Sequence, residues 1–245
     1  MGIAALQYEV DPAGALGSLA DVGGEVVARV AARSATVSLP PRAAWRPRAA
    51  SDVALLSVDE GFLVLSSDIG NGNENGGQYV ALNRRIILAT GQAGTFLAPP
   101  AAGERVEALT ACRFSVISFD ALRALTALPS VAEAITIALT EELKERRAAI
   151  RNCAYVRHTD RVREKLLQLA RVYGRVVPGG VRIDFPLTHQ VLADMVGSAR
   201  ETVSLAISEL VSDGFVVRRD RSYILRIASS DLLPAAEAAG LALVR

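Results

Sequence analysis

Residues 187–214, LTHQVLADMVGSARETVSLAISELVSDG, carry the clearest structural signal of the chain. Apolar residues recur at helical spacing in two short runs, about 188–196 and 199–212. Gly197 lies between the runs and tolerates the positive φ angle that a sharp turn needs. Ser198 precedes Glu201 by three residues, which is the spacing of a capping box at a helix start. The stretch predicts two helices joined by a tight turn, a helix-turn-helix.

The sequence on either side completes a small domain. A helical pattern covers about residues 158–173, and residues 181–185 alternate apolar and polar side chains as a strand does. Further on, residues 215–219 and 223–227 are two apolar runs around a polar tip at residues 220–222, which predicts a hairpin. This hairpin, directly after a helix-turn-helix, is predicted to be the wing of a winged helix.

The side chains at the start of the second helix suit contacts with DNA. A helix-turn-helix places the N-terminal end of that helix in the major groove. Arginine can bond there to guanine O6 and N7, and glutamate can accept from a cytosine amino group. The predicted base-reading residues are Arg200, Glu201 and Ser204. Short polar side chains and wing arginines suit phosphate contacts, which position the helix without reading sequence, and those predicted are Thr188, Gln190, Ser198, Thr202, Arg218, Arg219 and Arg221.

The charge of the chain is distributed as a nucleic-acid-binding module requires. Residues 157–227 hold 12 Arg or Lys and 8 Asp or Glu, a net charge of +4. Residues 1–156 hold 14 against 16, a net of −2, and residues 228–245 hold 1 against 2, so the whole chain of 245 residues carries +1. The positive excess lies with the helix-turn-helix, and double-stranded DNA is the predicted partner.

The N-terminal half has the pattern of an all-β domain, with short strands and turns over residues 35–120. The apolar runs at residues 53–56 and 62–65, on either side of a glycine-containing turn at residues 59–61, predict a hairpin. Residues 105–109 and 113–118 predict a second pair of strands. Strands this short and regular favour a barrel or a roll with jelly-roll character.

After residue 129 the pattern changes to one long amphipathic helix, about residues 130–152. Its apolar residues recur mostly four apart, and its other face is charged. We expect at least part of this stripe to form a dimer seam, with Val131, Ile135, Ala138, Leu139 and Leu143 as its residues. The alternative is that the stripe packs on the β domain of its own chain.

The motifs Leu187–Gln190, Leu192–Gly197 and Arg200–Ser204 resemble the DNA-binding signature of the cyclic-AMP receptor protein / fumarate-nitrate regulator family. The resemblance implies an α+β fold with a cyclic-nucleotide-binding-like β-roll over residues 1–128, a dimerisation helix and hinge over 129–156, and a winged helix-turn-helix with a tail over 157–245. It implies a dimeric, sequence-specific transcription regulator, and RNA polymerase as a partner if the regulator is an activator. It further implies base contacts from Arg200 and Glu201 and phosphate contacts from Thr188, Gln190 and Thr202.

The chain departs from the family pattern in its recognition helix and in its effector pocket. Ala199 and Leu205 replace a serine and an arginine of many members. The stretch of residues 91–106 lacks the family's Gly-Glu pair, Pro99 and Pro100 remove two amide donors, and Arg105 falls about three positions late. We expect no ordinary cyclic-AMP binding; the β-roll either binds an unidentified signal or has lost sensing. The alternatives are a cyclic nucleotide that still binds, or a switch through oxidation of Cys153.

Other function classes have little support in the sequence. Two histidines and two cysteines show no metal-ligand spacing, and no catalytic constellation is present, so neither an enzyme nor a cofactor or metal is expected. An enzyme or scavenger on a DNA tether and a non-specific architectural DNA binder remain as alternatives. No secretory or membrane segment is recognisable, which predicts a cytoplasmic protein without a membrane partner.

Overall fold

The computed structural model describes residues 25, 30, 34–48, 52–69, 84–152, 154–219 and 222–228. The predictions made for Cys153, Arg221 and the tail after residue 228 lie outside these residues. The chain divides into two compact units, residues 1–147 and 148–245.

The first unit is built on two four-stranded antiparallel sheets. One has the order β1-β8-β3-β6, with β1 Ala35–Leu39, β8 Cys112–Ile117, β3 Leu55–Glu60 and β6 Phe96–Leu97. The other has the order β2-β7-β4-β5, with β2 Ala44–Trp45, β7 Glu104–Ala108, β4 Phe62–Ile69 and β5 Arg84–Gln92. Apolar side chains of both sheets form one core, in which Phe114 is fully buried and meets the Trp45 ring edge-on at 5.3 Å. The predicted β-roll is confirmed.

The four strands predicted as two pairs are present, but the two strands of each pair are not hydrogen-bonded to each other, so the predicted hairpin around residues 59–61 is wrong. β3 and β4 lie in different sheets, and so do β7 and β8. Between β3 and β4 stands only Gly61, because β3 continues to Glu60, and one residue is too short for a hairpin loop. Gly61 has φ +77°, and a Cβ there would lie 2.1 Å from the Ala111 carbonyl oxygen, so this corner between the sheets requires glycine.

Two helices follow the roll. α1, Phe119–Thr126, begins at Ser118, whose hydroxyl accepts a hydrogen bond from the Ala121 amide at 3.2 Å. α2, Pro129–Asn152, starts on a proline, which suits the first turn of a helix because its missing N–H has no partner there. Together with one sheet, the two helices enclose a second core of Val30, Leu55, Phe96, Ile117, Leu125, Val131 and Ile135.

The predicted dimer seam is therefore corrected in its first half. Val131 is fully buried and Ile135 is 4% exposed, both in the core of their own unit, and Ala138 packs partly against that core. For Val131, Ile135 and Ala138 the alternative is therefore correct: these residues pack on the β domain of their own chain. Leu139 and Leu143 are 36% and 48% exposed, so the dimer contact stays a prediction for these two residues.

The second unit packs three helices and a four-stranded antiparallel sheet. The helices are α3 His158–Tyr173, α4 His189–Val196 and α5 Arg200–Ser212. The sheet has the order β11-β12-β10-β9, with β11 Val216–Arg219, β12 Ser222–Leu225, β10 Gly180–Ile183 and β9 Gly174–Val177. The sequence did not predict β9. The helix-turn-helix and the wing hairpin are confirmed, since α4 and α5 pack on each other and β11 pairs with β12.

Within the described residues, no single helix is long and apolar enough to cross a membrane; α1 and α2, bent by 119°, reach that length and composition only as a pair. In the same part of the chain, no three His, Cys, Asp or Glu side chains are grouped to hold a metal ion.

Candidate nucleic-acid interface

The turn between α4 and α5 has the geometry that the sequence predicts. Thr188 caps α4 by accepting a hydrogen bond from the Val191 amide at 3.1 Å. Gly197 ends α4 in the left-handed conformation, with φ +61° and ψ +38°. A side chain would be strained at this φ, so glycine fixes where α4 stops and allows α5 to leave in a new direction.

The start of α5 differs from the predicted capping box. The predicted capping box needs Ser198 as the N-cap, but the helix begins one residue later and its N-cap is Ala199. Alanine has no polar side chain, so this helix start has no side-chain hydrogen bond. Ser198 is only 4% exposed, and its hydroxyl lies 2.8 Å from Nδ1 of His158 on α3. The prediction that Ser198 contacts phosphate is therefore corrected: its hydroxyl ties the turn to α3.

One face of α5 is fixed in the core of the second unit. Its buried residues are Val203, Ala206, Ile207 and Leu210, and every residue of α4 from Val191 to Val196 is buried. Two helices held this firmly leave α5 little freedom to rotate about its axis. The opposite face of α5 is thus a rigid surface.

The N-terminal end of that surface presents Arg200 and Glu201. Both residues are exposed, and within the described part of the chain neither side chain makes a hydrogen bond or an ion pair. The peptide dipoles of α5 add positive potential at this end. The two side chains are placed as base readers have to be, at the first turn of the second helix, and their role in base contact stays a prediction.

Ser204, the third predicted base reader, has a different environment. Its hydroxyl donates to the Arg200 carbonyl at 2.9 Å and lies 2.7 Å from Nδ1 of His189. These two partners hold the hydroxyl against its own helix and α4. The base contact predicted for Ser204 therefore has less support than those predicted for Arg200 and Glu201, and all three stay predictions.

The residues predicted to contact phosphate lie at the start of α4, in the first turn of α5 and in the wing. Thr188 and Gln190 are exposed, Thr202 is half-buried, and the amide of Gln190 donates to Asp194 at 2.8 Å. In the wing, Arg218 and Arg219 are exposed, and the Arg218 guanidinium lies 5.9 Å from the centre of the Tyr223 ring. Their phosphate contacts stay predictions.

His189 has a structural role that the sequence analysis missed. The residue is half-buried at the start of α4, and its ring centre lies 6.5 Å from that of Tyr223 in the wing. Its Nε2 is enclosed without a hydrogen-bond partner among the described residues. Burial lowers the pKa of His189, and the positive charges of Arg218 and Arg200 lower it further. Through Ser204, neutral His189 links the first helix, the second helix and the wing.

This depressed pKa predicts an acid-sensitive second unit. In the unfolded chain the pKa of His189 is near 6.5, and in the folded chain it is lower. The unfolded state therefore binds a proton at pH values where the folded state does not, so the free energy of unfolding is full above pH 6.5 and falls as the pH decreases toward the folded pKa. Urea unfolding of the native chain between about pH 5 and pH 8 measures this slope.

The variant His189→Gln isolates the effect, because glutamine keeps a polar group beside Ser204 and does not titrate. We expect its free energy of unfolding to vary less with pH below 6.5 than that of the native chain. Equal slopes for the two proteins would mean that His189 does not contribute.

The fold and the site define a class: a β-roll followed by a long helix and a winged helix-turn-helix whose second helix presents an arginine and a glutamate. The family model of the Crp-like helix-turn-helix domain matches residues 160–233. This match confirms the predicted resemblance to the cyclic-AMP receptor protein / fumarate-nitrate regulator family for residues 160–233, which are similar to a Crp-like helix-turn-helix domain.

Among curated proteins, the chain is similar to the CRP-like cAMP-activated global transcriptional regulator of Mycobacterium tuberculosis (strain CDC 1551 / Oshkosh). They are 28% identical over 118 residues, which cover 48% of this chain and 53% of the relative, so the match spans about half the relative's length. Among solved structures, a mutant of CooA from Carboxydothermus hydrogenoformans has a TM-score of 0.71 at 17% identity, covering 92% of this chain and 96% of that one. The c-di-GMP responsive global regulator CLP of Xanthomonas campestris has a TM-score of 0.60 at 21% identity, covering 83% and 99%. At these identities the structural likeness concerns the fold.

Proposed function

We propose that this protein is a sequence-specific DNA-binding transcription regulator that acts as a homodimer in the cytoplasm. The observation that carries the proposal is the N-terminal end of α5, where Arg200 and Glu201 are exposed; the wing arginines Arg218 and Arg219 are exposed as well, and the charges of Arg200 and Arg218 both act on His189. Guanidinium and carboxylate groups at the start of α5 can read guanine and cytosine edges, and the wing arginines can hold phosphates. RNA polymerase is a further partner if the regulator activates transcription.

The dimer is proposed from the exposed leucines of α2. Leu139 and Leu143 are four residues apart, so they lie on the same side of the helix, and both are more than a third exposed. A second copy of the same helix would cover them. Two winged helices related by a two-fold axis would then read half-sites about one helical turn of DNA apart, roughly 34 Å.

Selection of bound sequences from random duplexes tests the proposal. We expect enrichment of a two-fold symmetric site with half-sites about 10 base pairs apart. Binding without any enriched sequence would contradict the proposal and would support the alternative of a non-specific architectural protein.

We further propose that the β-roll does not respond to cyclic AMP. Arg105, the arginine nearest to the position of the family's phosphate-binding residue, is held inside an ion-pair cluster. Its guanidinium donates to both carboxylate oxygens of Asp68, at 2.5 and 3.0 Å, and lies 2.6 Å from Glu107. Glu107 in turn accepts hydrogen bonds from the Ser66 hydroxyl at 2.5 Å and from Arg85.

The protonation states of this cluster agree with full pairing. The hydrogen bond from Arg105 holds the pKa of Asp68 below its usual value. Burial by itself would raise the pKa of Glu107, but the Ser66 hydroxyl and the charges of Arg85 and Arg105 lower it overall. Releasing Arg105 toward a phosphate would leave Asp68 without its cation and the largely buried Glu107 with Arg85 alone, which is unfavourable.

The backbone of the neighbouring loop, residues 98–103, is also engaged. The Ala98 amide donates to Glu142 of α2 at 3.2 Å, and the Ala101 amide donates to Glu104 at 3.0 Å. Between them, Pro99 and Pro100 have no N–H. Carboxylates of the chain therefore take the amides that an effector phosphate would need.

We expect isothermal titration of the protein with cyclic AMP to give no binding at micromolar to low-millimolar concentrations, because neither Arg105 nor these amides are available. The M. tuberculosis relative, described as cAMP-activated, is the matched positive control. Micromolar affinity of the present chain would overturn the proposal for the β-roll and leave the one for DNA untouched.

A redox switch has no support at Cys112. This thiol is buried, and burial raises its pKa to about 11, so it stays protonated and unreactive at neutral pH. The alternative of an oxidation switch therefore depends on Cys153, which lies outside the described residues.

A further inference from the structure

The second turn of α5 carries a large apolar side chain on its exposed face. Leu205 is 69% exposed, whereas Val203, Ala206, Ile207 and Leu210 are buried; Val211, 43% exposed, lies at the far end of the helix. Ser208 and Glu209 follow Leu205 at three and four residues, and the half-buried Ser204 precedes it; Glu209 accepts a hydrogen bond from the Thr159 hydroxyl. Both serine hydroxyls donate to carbonyls of their own helix, Ser204 to Arg200 at 2.9 Å and Ser208 to Ser204 at 3.0 Å.

Leu205 continues the surface that begins with Glu201. The two residues are four apart, so they are neighbours on the same side of the helix and lie about 6 Å apart along its axis. Ser208, three residues further, follows on the same side. Because the hydroxyls of Ser204 and Ser208 donate to backbone carbonyls, the group that the second turn of α5 exposes is the apolar side chain of Leu205.

Among the groups that base pairs present in the major groove, the thymine 5-methyl group is the apolar one. A leucine set against a guanine, adenine or cytosine edge would cover hydrogen-bonding groups and offer them no partner, which is unfavourable. Against thymine, it would bury the methyl group and its own side chain together.

We infer that Leu205 is a specificity residue that reads the 5-methyl group of a thymine in each half-site. The inference rests on the proposed function. It adds a third base, a thymine, to the two bases that Arg200 and Glu201 are proposed to read.

The test uses the full chain and the site enriched from random duplexes. Each thymine of that site is replaced in turn by deoxyuridine, which removes the methyl group alone, and binding is measured by fluorescence anisotropy. We expect one symmetry-related thymine per half-site to respond, with an affinity loss of about fourfold per half-site, the effect of one buried methyl group. The variant Leu205→Ala is expected to bind the thymine and uracil duplexes equally at that position.

Two further variants complete the experiment. Ser208→Ala is the matched control on the same face and is expected to keep the thymine preference, since its hydroxyl already faces its own helix. Leu205→Arg is expected to select guanine at the position where the native chain selects thymine. Because Leu205 is exposed, none of these changes should lower the melting temperature of the second unit.

The outcomes separate the inference from the proposed function. A specific site that is insensitive to deoxyuridine at every position, or that lacks thymine, overturns the role of Leu205 and leaves the regulator standing. The inference is also overturned if Leu205→Ala keeps the full difference between thymine and uracil. Absence of any enriched sequence overturns both.

Discussion

Replacing Arg200 and Glu201 together by alanine is expected to remove the preference of the native chain for particular bases at two positions of each half-site. Each side chain is proposed to read one base, and a good base contact discriminates against the wrong base by about 1–3 kcal/mol. The double variant should therefore lose about tenfold to hundredfold of preference at each of two positions per half-site. Its affinity for random DNA should change much less, because the wing arginines remain. Parallel sequence selections with the two proteins measure the effect.

A matched control removes the same two charges elsewhere in the second unit. Arg171 and Glu164 form a surface ion pair on α3 at 3.9 Å, and such pairs contribute little to stability. The variant Arg171→Ala, Glu164→Ala keeps the net charge equal to that of the test variant. We expect it to rank sequences as the native chain does. The proposal fails if the Arg200→Ala, Glu201→Ala protein keeps the native ranking as well.

Replacing Leu139 and Leu143 together by glutamate is expected to dissociate the dimer. A symmetric contact would bury four leucine side chains, and each contributes about 1.5–3 kcal/mol when fully buried. Even partial burial makes the expected rise in the dimer dissociation constant at least about a hundredfold, since 1.4 kcal/mol is tenfold. Analytical ultracentrifugation measures the association, and affinity for a two-half-site duplex should fall with it.

Ile137 provides the control on the same helix. It is 56% exposed, and at about 100° per residue it lies on a different side from both leucines. Ile137→Glu should leave the dimer intact and should not affect the core of the first unit. A dimer that tolerates the two leucine changes and is lost with Ile137→Glu would place the interface on another face of α2.

Sequence periodicity located the long helix but could not assign its faces. Residues spaced by four advance about 40° around a helix at each step, so Val131 and Leu143 differ by about 120° in direction. They cannot both face one partner. The structure resolves the predicted stripe into Val131 and Ile135, which pack on the roll, and Leu139 and Leu143, which are exposed. This division depends on where the sheet lies, which the helix sequence does not contain.

The strand connections were missed for a related reason. The alternation at β3 and β4 locates both strands, but their partners are set by whether the chain folds back or crosses to the other sheet. That choice depends on a single residue, because β3 continues to Glu60 and leaves only Gly61 before β4. Strand ends are less well defined by a sequence than strand centres, so a turn of three residues was predicted where one is present.

The helix-turn-helix was predictable because its signals are local. The apolar spacing of α4, the turn at Gly197 and the apolar spacing of α5 lie within 28 successive residues and agree with one another. The roles of Ser198 and Ser204 were not local. Their partners, His158 and His189, are 40 and 15 residues away, and only the packing of the helices brings them together. The sequence around these two serines is therefore the same whether their hydroxyls face DNA or bond to another part of the protein.

The central claim is that Arg200 meets a guanine in the major groove, and atomic substitution in the DNA tests it most directly. Replacing each guanine of the selected site by 7-deazaguanine removes N7, one of the two major-groove acceptors that arginine uses. We expect the native chain to lose about tenfold in affinity at one guanine per half-site. The variant Arg200→Ala should bind the substituted and unsubstituted duplexes equally. Undiminished binding of the native chain to every substituted duplex would contradict the account.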